Sequence, residues 1–336
     1  MNIFYAVQAT GNGHISRARQ LMPYLQQYGQ VDVFLSGANA TLDTGDLPVK
    51  YRSRGMSLYY SHCGGLSYRQ MWQQNSLVRA LAEARHLPVE AYDVVINDFE
   101  FITAQACRIK GVPSVQFGHQ ASFMSTHTPR PAVRSMIGEM ILRKYAPASR
   151  YVGLHFERYD NFIHPPVVKD YFLCNKPANQ GHITVYLPAY NRSCCEQHFR
   201  NLAPQHFHWF LPEIQKPLTQ GNITLMPVNN QLFNESLLNC HGLITGGGFE
   251  TPAEALYLGK RLMSIPIRAQ YEQQCNAAAL KGRGITVHES AETPHFGHHV
   301  SEWLAAPHAV VHQEAAQIPQ LLSSVFHTAF AETQVA

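Results

Sequence analysis

The sequence predicts an α/β protein with two doubly wound, Rossmann-like domains that face each other across a cleft. Short apolar runs alternate with segments of helical periodicity along the chain, a pattern typical of parallel sheets covered by helices. This pattern occurs once in each half of the chain. With 336 residues, the chain is also longer than a single hydrophobic core usually organises.

Four apolar runs in the first half are predicted strands: NIFYAV, QVDVFLS, YDVVIND and VPSVQF. A helix is predicted between the first two strands, with a kink at Pro23. Its apolar face is formed by residues at helical spacing: Ile15, Ala18, Leu21, Met22, Leu25 and Tyr28. The segment EFITAQACRIKG is a second predicted helix, and Gly111 is its expected stop because glycine readily adopts the left-handed conformation after a helix.

The second half is predicted to form five strands, in the runs HITVYLP, HFHWFL, NITLMPV, HGLITG and RLMSIPI. Between the halves, Pro165 and Pro166 favour an extended connector. The predicted domains are therefore residues 1–164 and 165–336. From about Pro307 onward the chain is helical in composition, and we expect its last helix to cross back onto the first domain.

The composition argues against several classes of protein. The net charge is only +3 and no run of Lys and Arg is interleaved with aromatic residues, so nucleic acid is not an expected partner. The seven cysteines include no C-x-x-C pair, which argues against a zinc site or a disulfide framework and favours a reducing compartment. No 18-residue apolar stretch and no signal-peptide pattern occurs, so a cytoplasmic protein is expected.

The second half contains a glycine-rich turn that predicts an anion site. The run HGLITG leads into Gly246, Gly247 and Gly248, and a helix is predicted from about Thr251. Glycines let backbone amides approach a phosphate, and a helix N-terminus carries a partial positive charge. The alternative is a plain tight turn, because the spacing matches neither a P-loop nor the dinucleotide fingerprint.

Glu254 lies one turn into that predicted helix, where its carboxylate could accept both hydroxyls of a ribose. The alternative is a capping box with Thr251, which needs no ligand. Further on, Glu272 and Gln273 follow the run RLMSIPI at the carboxyl edge of the predicted sheet, where open α/β sheets bind ligands. For these two residues the alternative is a solvated helix start.

The motif GNGH places His14 between the first predicted strand and its helix. An imidazole there is suited to act as a general base at the mouth of a cleft, or else it serves only the helix start. Asp98, at the carboxyl end of a strand in the same predicted sheet, could orient His14 and stabilise its charged form. The alternative for Asp98 is a turn-forming residue after a strand.

The stretch from Gly246 to Asn276, together with Gly13 and His14, resembles GT-B glycosyltransferases. The resemblance is strongest to the family 28-like group that adds N-acetylglucosamine to the lipid-linked peptidoglycan precursor. It implies a donor site for a nucleotide sugar, expected to be linked to UDP. In that family a glycine-rich turn meets the diphosphate, a helix glutamate holds the ribose, and polar residues ahead of an NA pair meet the sugar. The matching residues here are Gly246, Gly247, Gly248, Glu254, Glu272, Gln273 and Asn276.

The resemblance implies an inverting hexosyl transfer to a hydroxyl of a small-molecule, glycan or lipid-linked acceptor, in cell-envelope polysaccharide or glycolipid synthesis. Residues 1–164 would bind the acceptor and residues 165–336 the donor. Three residues are predicted on the acceptor side: Gly13, Arg17 and His119. No cofactor is predicted, and no metal, because the chain has no Asp-x-Asp pair. Asp98 and Glu100 form the nearest acidic pair, and strand alternation would place both on one face.

Other functions remain open from the sequence. The spacing of Gly11, Gly13, His14 and Arg17 also resembles a nucleotide-sugar hydrolase of the same fold, in which His14 would activate water. A non-catalytic nucleotide-sugar-binding protein is a further alternative, and an epimerase is disfavoured because no carboxylate set for proton removal is apparent.

The segment RSMIGEMILRKY carries an apolar face that consists of Met136, Ile137, Met140 and Ile141. Basic residues flank this face, so the segment could touch an anionic membrane that bears a lipid acceptor. An ordinary helix packed on the sheet is the favoured interpretation.

Overall fold

The structure is a computed structural model, which describes residues 1–9, 11–37, 44–56 and 76–331. Two seven-stranded sheets organise it, one in each half of the chain. The first ends at His164 and the second begins at Ile183. One hydrophobic core cluster extends from the first sheet into the second half and the last helix, and a second cluster lies within the second half. The predicted α/β class with two doubly wound units is confirmed.

The first sheet has the strand order β3-β2-β1-β4-β5-β6-β7, with parallel pairing throughout. Its strands are β1 (Asn2–Gln8), β2 (Gln30–Ser36), β3 (Val49–Ser53), β4 (Val94–Asp98), β5 (Val115–Gly118), β6 (Arg150–Leu154) and β7 (Ile163–His164). The α-helices of this half are α1 (Asn12–Leu25), α2 (Leu77–His86), α3 (Phe101–Lys110) and α4 (Met136–Lys144). Short 3-10 helices span Val89–Ala91 and Gln120–Met124.

The second sheet has the order β10-β11-β9-β8-β12-β13-β14, and β10 pairs antiparallel with β11. Its strands are β8 (Ile183–Tyr186), β9 (Phe207–Leu211), β10 (Leu218–Gln220), β11 (Ile223–Pro227), β12 (Gly242–Gly246), β13 (Arg261–Ile265) and β14 (Thr286–Val287). The helices are α5 (Asp170–Cys174), α6 (Arg192–Arg200), α7 (Asn230–Asn239), α8 (Glu250–Tyr257), α9 (Tyr271–Gly282), α10 (Phe296–Ala305) and α11 (Ile318–Phe330).

The strand orders determine where a site can form. In the first sheet the chain order reverses between β1 and β4, and in the second between β8 and β12. Loops that leave two such strands diverge to opposite faces, which opens a crevice at the carboxyl edge of the sheet. After β1 the chain enters α1, whose first turn contains His14, and β4 ends at Asp98. The glycine-rich turn begins at the end of β12.

All nine predicted strands are present, and five further strands were missed. The missed strands are β3, β6, β7, β10 and β14, and β7 and β14 have only two residues each. Gly111 ends α3 at φ 68°, in the left-handed conformation, as predicted. Helix α1 runs through Pro23 and ends at Leu25, so Pro23 does not interrupt it. A proline so close to the end of a helix removes one backbone hydrogen bond of its last turn.

The last helix packs against the first domain. The ring of Phe326 in α11 stacks on Tyr28 with centroids 4.0 Å apart. The Arg150 guanidinium donates to the carbonyl oxygens of Thr328 and Ala329 at 2.8 and 2.7 Å. The chain therefore crosses back onto the first sheet after the second is complete. The boundary between residues 164 and 165 remains a prediction.

Helix α4 differs from the favoured sequence interpretation. Gly138 and Leu142 are its buried residues, and Gly138 packs against the ring of Tyr271 in α9. The predicted apolar face is turned to solvent instead, with Met136 88% and Ile137 66% exposed. The helix buries its small residue because only glycine fits against Tyr271: an added Cβ would lie 2.3 Å from a ring carbon.

Candidate active site

His14 and Asp98 form a hydrogen-bonded pair where the first sheet faces the second domain. His14 lies in the first turn of α1, and Asp98 is the last residue of the adjacent strand β4. His14 Nδ1 lies 2.9 Å from Asp98 Oδ1. The Asp98 side chain is fully buried, and the His14 side chain is 15% exposed. The Gly11 backbone precedes α1 without a side-chain cap, so His14 does not serve as the cap of the helix.

The electrostatics of this pair suit an imidazole that accepts protons. Burial lowers the pKa of His14, but the adjacent Asp98 carboxylate outweighs it and the pKa is raised overall. Burial alone would raise the pKa of Asp98, yet Arg17 and His14 hold it below its usual range. Asp98 is therefore an ionised acceptor, which assigns the proton of a neutral imidazole to Nδ1 and the free lone pair to Nε2.

Arg17 is buried behind His14 and Asp98 and contacts carboxylates of both domains. Its Nη2 donates to both oxygens of Asp98 at 2.7 Å, and its Nη1 donates to Glu250 of α8. The Arg17 side chain is only 2% exposed. The guanidinium is engaged by two carboxylates, and a role of Arg17 on the acceptor side remains a prediction.

Two backbone features make room for Asp98. Phe99 follows it at φ 56°, a left-handed conformation that costs a non-glycine residue free energy and is common at functional sites. Gly118, at the end of β5, has φ 147°, and a Cβ there would lie 2.6 Å from Asp98 Oδ1. The turn at Phe99 also separates Asp98 from Glu100, which caps α3 by accepting from Ile102 and Thr103. The two carboxylates thus serve different partners and do not form a metal pair.

The glycine-rich turn is held by Gln273 and Asn276, two of the residues predicted to bind the donor. Gln273 Oε1 accepts from the Gly247 amide at 3.0 Å and from the Ile267 amide at 2.9 Å. Asn276 Nδ2 donates to the Gly247 carbonyl at 3.0 Å. A Cβ at Gly247 would lie within 3.0 Å of Gln273 and Pro266, so only glycine fits there. The amide of Gly247 is consequently engaged, and the amides available to an anion begin at Gly248 and the first turn of α8.

His119 is buried between the two domains. One ring nitrogen, Nδ1, lies 2.9 Å from the Leu154 carbonyl, and Nε2 lies 2.7 Å from Asn276 Oδ1. The ring stacks on Phe249 with centroids 4.0 Å apart, and Glu272 Oε1 is 4.0 Å from Nε2. His119 has 1% of its surface exposed and contacts Asn276, and its role on the acceptor side remains a prediction.

Glu254 lies in the cleft without the predicted capping box. Helix α8 begins at Glu250, its N-cap is Phe249, and no side chain caps it. Glu254 is 2% exposed and its Oε2 accepts from Lys169 Nζ at 3.1 Å. Burial raises the pKa of Glu254, and Lys169 opposes that shift. The carboxylate is therefore held by a lysine of the interdomain connector, which the sequence had not indicated.

A cavity of about 80 Å³ lies in the cleft, with Lys169, Glu250 and Glu254 in its lining. Its first-domain wall contains Asn12, Gly13 and Ser16, from the start of α1. Its second-domain wall is formed by aromatic and polar residues of several elements, among them Tyr186, Phe210, Phe233, Glu250, Thr251 and Glu254. The cavity therefore connects the histidine loop to the first turn of α8.

Within the described ranges, no group of three or more His, Cys, Asp or Glu residues converges in a way that could hold a metal ion. Nor does the described part of the chain contain a helix long and apolar enough to cross a membrane.

A model of glycosyl transferase family 1 matches residues 1–301 of the chain. The chain belongs to this family. No curated protein matches the sequence. Solved structures with the same fold include the glycotransferase of kitacinnamycin, with a TM-score of 0.58, 15% identity, and coverage of 98% of this chain and 95% of that one.

Two plant proteins are also similar to this family 1 glycosyltransferase in structure. UGT2 of Phytolacca americana, complexed with UDP-2-fluoro-glucose and pterostilbene, has a TM-score of 0.57 and 14% identity over 97% of this chain and 94% of that chain. UGT89C1 of Arabidopsis thaliana, complexed with UDP, has a TM-score of 0.56 and 12% identity over 98% of this chain and 95% of that chain. At these identities the likeness shows the fold alone. The family model and this fold together confirm the predicted GT-B glycosyltransferase.

The structure of the glycosyltransferase adds three site residues that the sequence did not reveal: Glu250, Gly118 and Lys169. Glu250 lies two residues after the last glycine of the run, and Gly118 directly follows a predicted strand, so both had a local signal. Lys169 had none, because its partner Glu254 lies 85 residues away. The donor-binding roles of Gly246, Gly247, Gly248, Glu254, Glu272, Gln273 and Asn276 remain predictions.

Proposed function

We propose that this glycosyltransferase transfers a sugar from a UDP-sugar to a hydroxyl acceptor, with inversion and without a metal ion. The observation that carries the proposal is the hydrogen bond between His14 and Asp98 at the cleft between the domains. A UDP-linked donor is supported by the UDP and UDP-sugar complexes of the two plant proteins with this fold.

In the proposed reaction His14 Nε2 accepts the proton of the acceptor hydroxyl as that oxygen attacks the anomeric carbon. The bond from this carbon to the diphosphate oxygen breaks on the opposite face, which inverts the configuration. Asp98 keeps Nδ1 protonated and stabilises the imidazolium that forms. The pKa of a free imidazole lies close to neutral pH, which makes histidine suitable for this step, and Asp98 makes the His14 imidazole a stronger base by raising its pKa.

The departing UDP gains negative charge, which the second domain is arranged to stabilise. Backbone amides of the first turn of a helix have no intrahelical acceptor, and the dipole of α8 adds partial positive charge there. Gln273 and Asn276 fix the Gly247 peptide, so the following amides are held in place before the reaction. This arrangement supports catalysis without a metal ion.

A product assay tests the proposal. The protein is incubated in excess EDTA with UDP-glucose, UDP-galactose or UDP-N-acetylglucosamine, each with and without a panel of hydroxyl acceptors. We expect acceptor-dependent release of UDP and, by NMR of the product, a β-linkage from the α-linked donor. UDP release at the same rate without acceptor would instead identify a hydrolase. Activity lost in EDTA and restored by magnesium or manganese would contradict the metal-independent mechanism.

Glu254→Gln is expected to weaken UDP binding by about 1.5 to 3 kcal/mol, or roughly 10-fold to 150-fold in the dissociation constant. The proposed reason is that the buried carboxylate accepts hydrogen bonds from the ribose hydroxyls. Isothermal titration calorimetry with UDP measures the change, and Glu213→Gln, at an exposed position of the same domain, is the control. Unchanged affinity with a lower melting temperature would mean that Glu254 serves only to neutralise Lys169.

We further propose that the exposed face of α4 rests on an anionic membrane surface, from which a lipid-linked acceptor would be taken. Met136, Ile137 and Met140 are exposed on one face, and Arg134 and Lys144 flank it, which complements anionic headgroups. An exposed apolar stripe of this kind on a helix usually marks an interaction surface.

Cosedimentation with lipid vesicles tests this surface. We expect binding to vesicles that contain phosphatidylglycerol and little binding to phosphatidylcholine alone. The double substitution Met136→Ser with Ile137→Ser should reduce the bound fraction about tenfold, because two apolar side chains lose their burial in lipid. Val310→Ser, at a site that is 68% exposed on the second domain, should leave binding unchanged. Equal binding by both variants would contradict the proposal.

A further inference from the structure

An ion pair crosses the cleft directly behind the proposed base. Arg17 of the first domain donates to Asp98 through Nη2 and to Glu250 of the second domain through Nη1. Arg17 is almost fully buried, whereas Glu250 is 23% exposed. One chain of contacts therefore runs from His14 through Asp98 and Arg17 to Glu250. Glu250 is the residue that the donor domain contributes to this chain.

The backbone is shaped to admit this carboxylate. Gly13 immediately precedes His14, and a Cβ at position 13 would lie 2.6 Å from Glu250 Oε2. The absence of a side chain at Gly13 is thus what allows Glu250 to reach Arg17. Glu250 is also the first residue of α8, separated only by Phe249 from the glycine-rich turn proposed to hold the diphosphate.

We propose that Glu250 is a positioning residue that, from the second domain, engages Arg17 and thereby strengthens His14 as a base. This inference rests on the proposed role of His14 in sugar transfer. With Glu250 in contact, the charges around the imidazole are two carboxylates and one guanidinium. Without the Glu250 carboxylate, Asp98 still favours the imidazolium and Arg17 still opposes it, but Arg17 then has one carboxylate partner fewer.

The charge balance gives the direction of the effect. Within the described ranges the charged groups that act on His14 are Asp98, Arg17 and Glu250, of which the two carboxylates favour the imidazolium and Arg17 opposes it. Tyr5 lies beside Arg17, and burial keeps its phenol neutral by raising its pKa. Separating Glu250 from Arg17 therefore leaves Arg17 less neutralised, and the imidazole becomes a weaker base.

The test is the titration of the His14 ring by NMR in protein labelled with ¹³C and ¹⁵N at histidine, with the signal assigned by its loss in His14→Gln. In Glu250→Gln, which keeps the shape and can still accept from Arg17, the His14 titration should move to lower pH. Glu213→Gln should not move it. An unchanged His14 titration in Glu250→Gln would overturn the inference.

A second variant displaces the carboxylate without removing its charge. Gly13→Ala places a methyl group where Glu250 Oε2 lies, so it should also move the His14 titration to lower pH. In activity assays the acid limb of kcat/KM should move to lower pH in Glu250→Gln, with a lower plateau because the base is weaker. A purely structural role would reduce activity without moving this limb.

Different outcomes would refute the proposed sugar transfer and the proposed role of Glu250. The NMR titration needs no turnover, so a protein that transfers no sugar but shows the shift would refute the proposed function and retain the coupling. A protein that transfers sugar with an unshifted His14 titration in both variants would retain the function and refute the coupling.

Discussion

His14→Ala should lower kcat for sugar transfer by about a hundredfold or more, with the dissociation constant of UDP changed less than about twofold. The side chain is proposed to accept the acceptor proton in the transition state, so its loss affects the chemical step. UDP is proposed to bind on the second domain, beyond the reach of the substitution. Steady-state kinetics and calorimetry on the same preparation measure both quantities.

The control for this prediction is His298→Ala. His298 is one of the nineteen histidines, lies in α10 of the second domain and has a side chain that is 69% exposed. The His298→Ala variant should retain the kcat of the native protein. If His14→Ala also retained that kcat, His14 would have no part in the mechanism. In the native protein the rate should fall as the pH is lowered through the raised pKa of His14, because the imidazolium cannot accept a proton.

Gly118→Ala should lower kcat/KM for sugar transfer about a hundredfold. A Cβ at this position would lie 2.6 Å from Asp98 Oδ1 and 3.0 Å from Arg17 Nη2, and φ is 147°. The backbone or the carboxylate must shift, and a displacement of about 1 Å in a catalytic group can cost a hundredfold. Kinetics at saturating donor, with a crystal structure of the variant, would show whether Asp98 has moved.

Gly111→Ala is the matched control because Gly111 also has a positive φ, 68°, but has no atom within 4 Å of an added Cβ. It should cost about 1 kcal/mol of stability from backbone strain and leave kcat/KM unchanged. If Gly118→Ala behaved in the same way, the space beside Asp98 would have no part in activity.

The sequence alone was sufficient for the fold because the strands that build it are local apolar runs. The runs from NIFYAV to RLMSIPI fall on the nine central strands, where burial on both faces requires continuous hydrophobicity. Edge strands such as β3 and β10 were missed because their residues are only partly buried or exposed. The helix stop at Gly111 was predictable because it depends on one residue and its own backbone.

The sequence also marked both ends of the site, since glycine-rich loops after strands are local signals. His14 and the glycines from Gly246 to Gly248 were identified in this way. Their neighbours were harder to identify, because a buried charge is stabilised by whichever partner the fold brings near it. Asp98 could be suggested from its position at a strand end, and its 2.9 Å contact with His14 follows from the adjacency of β1 and β4.

Only the tertiary structure determined which charges are paired. Arg17 and Glu250 are 233 residues apart, and Lys169 and Glu254 are 85 apart, and no local pattern connects either pair. The same holds for His119, which was predicted on the acceptor side but contacts Asn276 from the other domain. For α4, periodicity located an apolar face but not its neighbour, and the close fit of Gly138 on Tyr271 turned that face to solvent. Periodicity is set by the chain itself, whereas the partner of a side chain is set by the packing of distant segments.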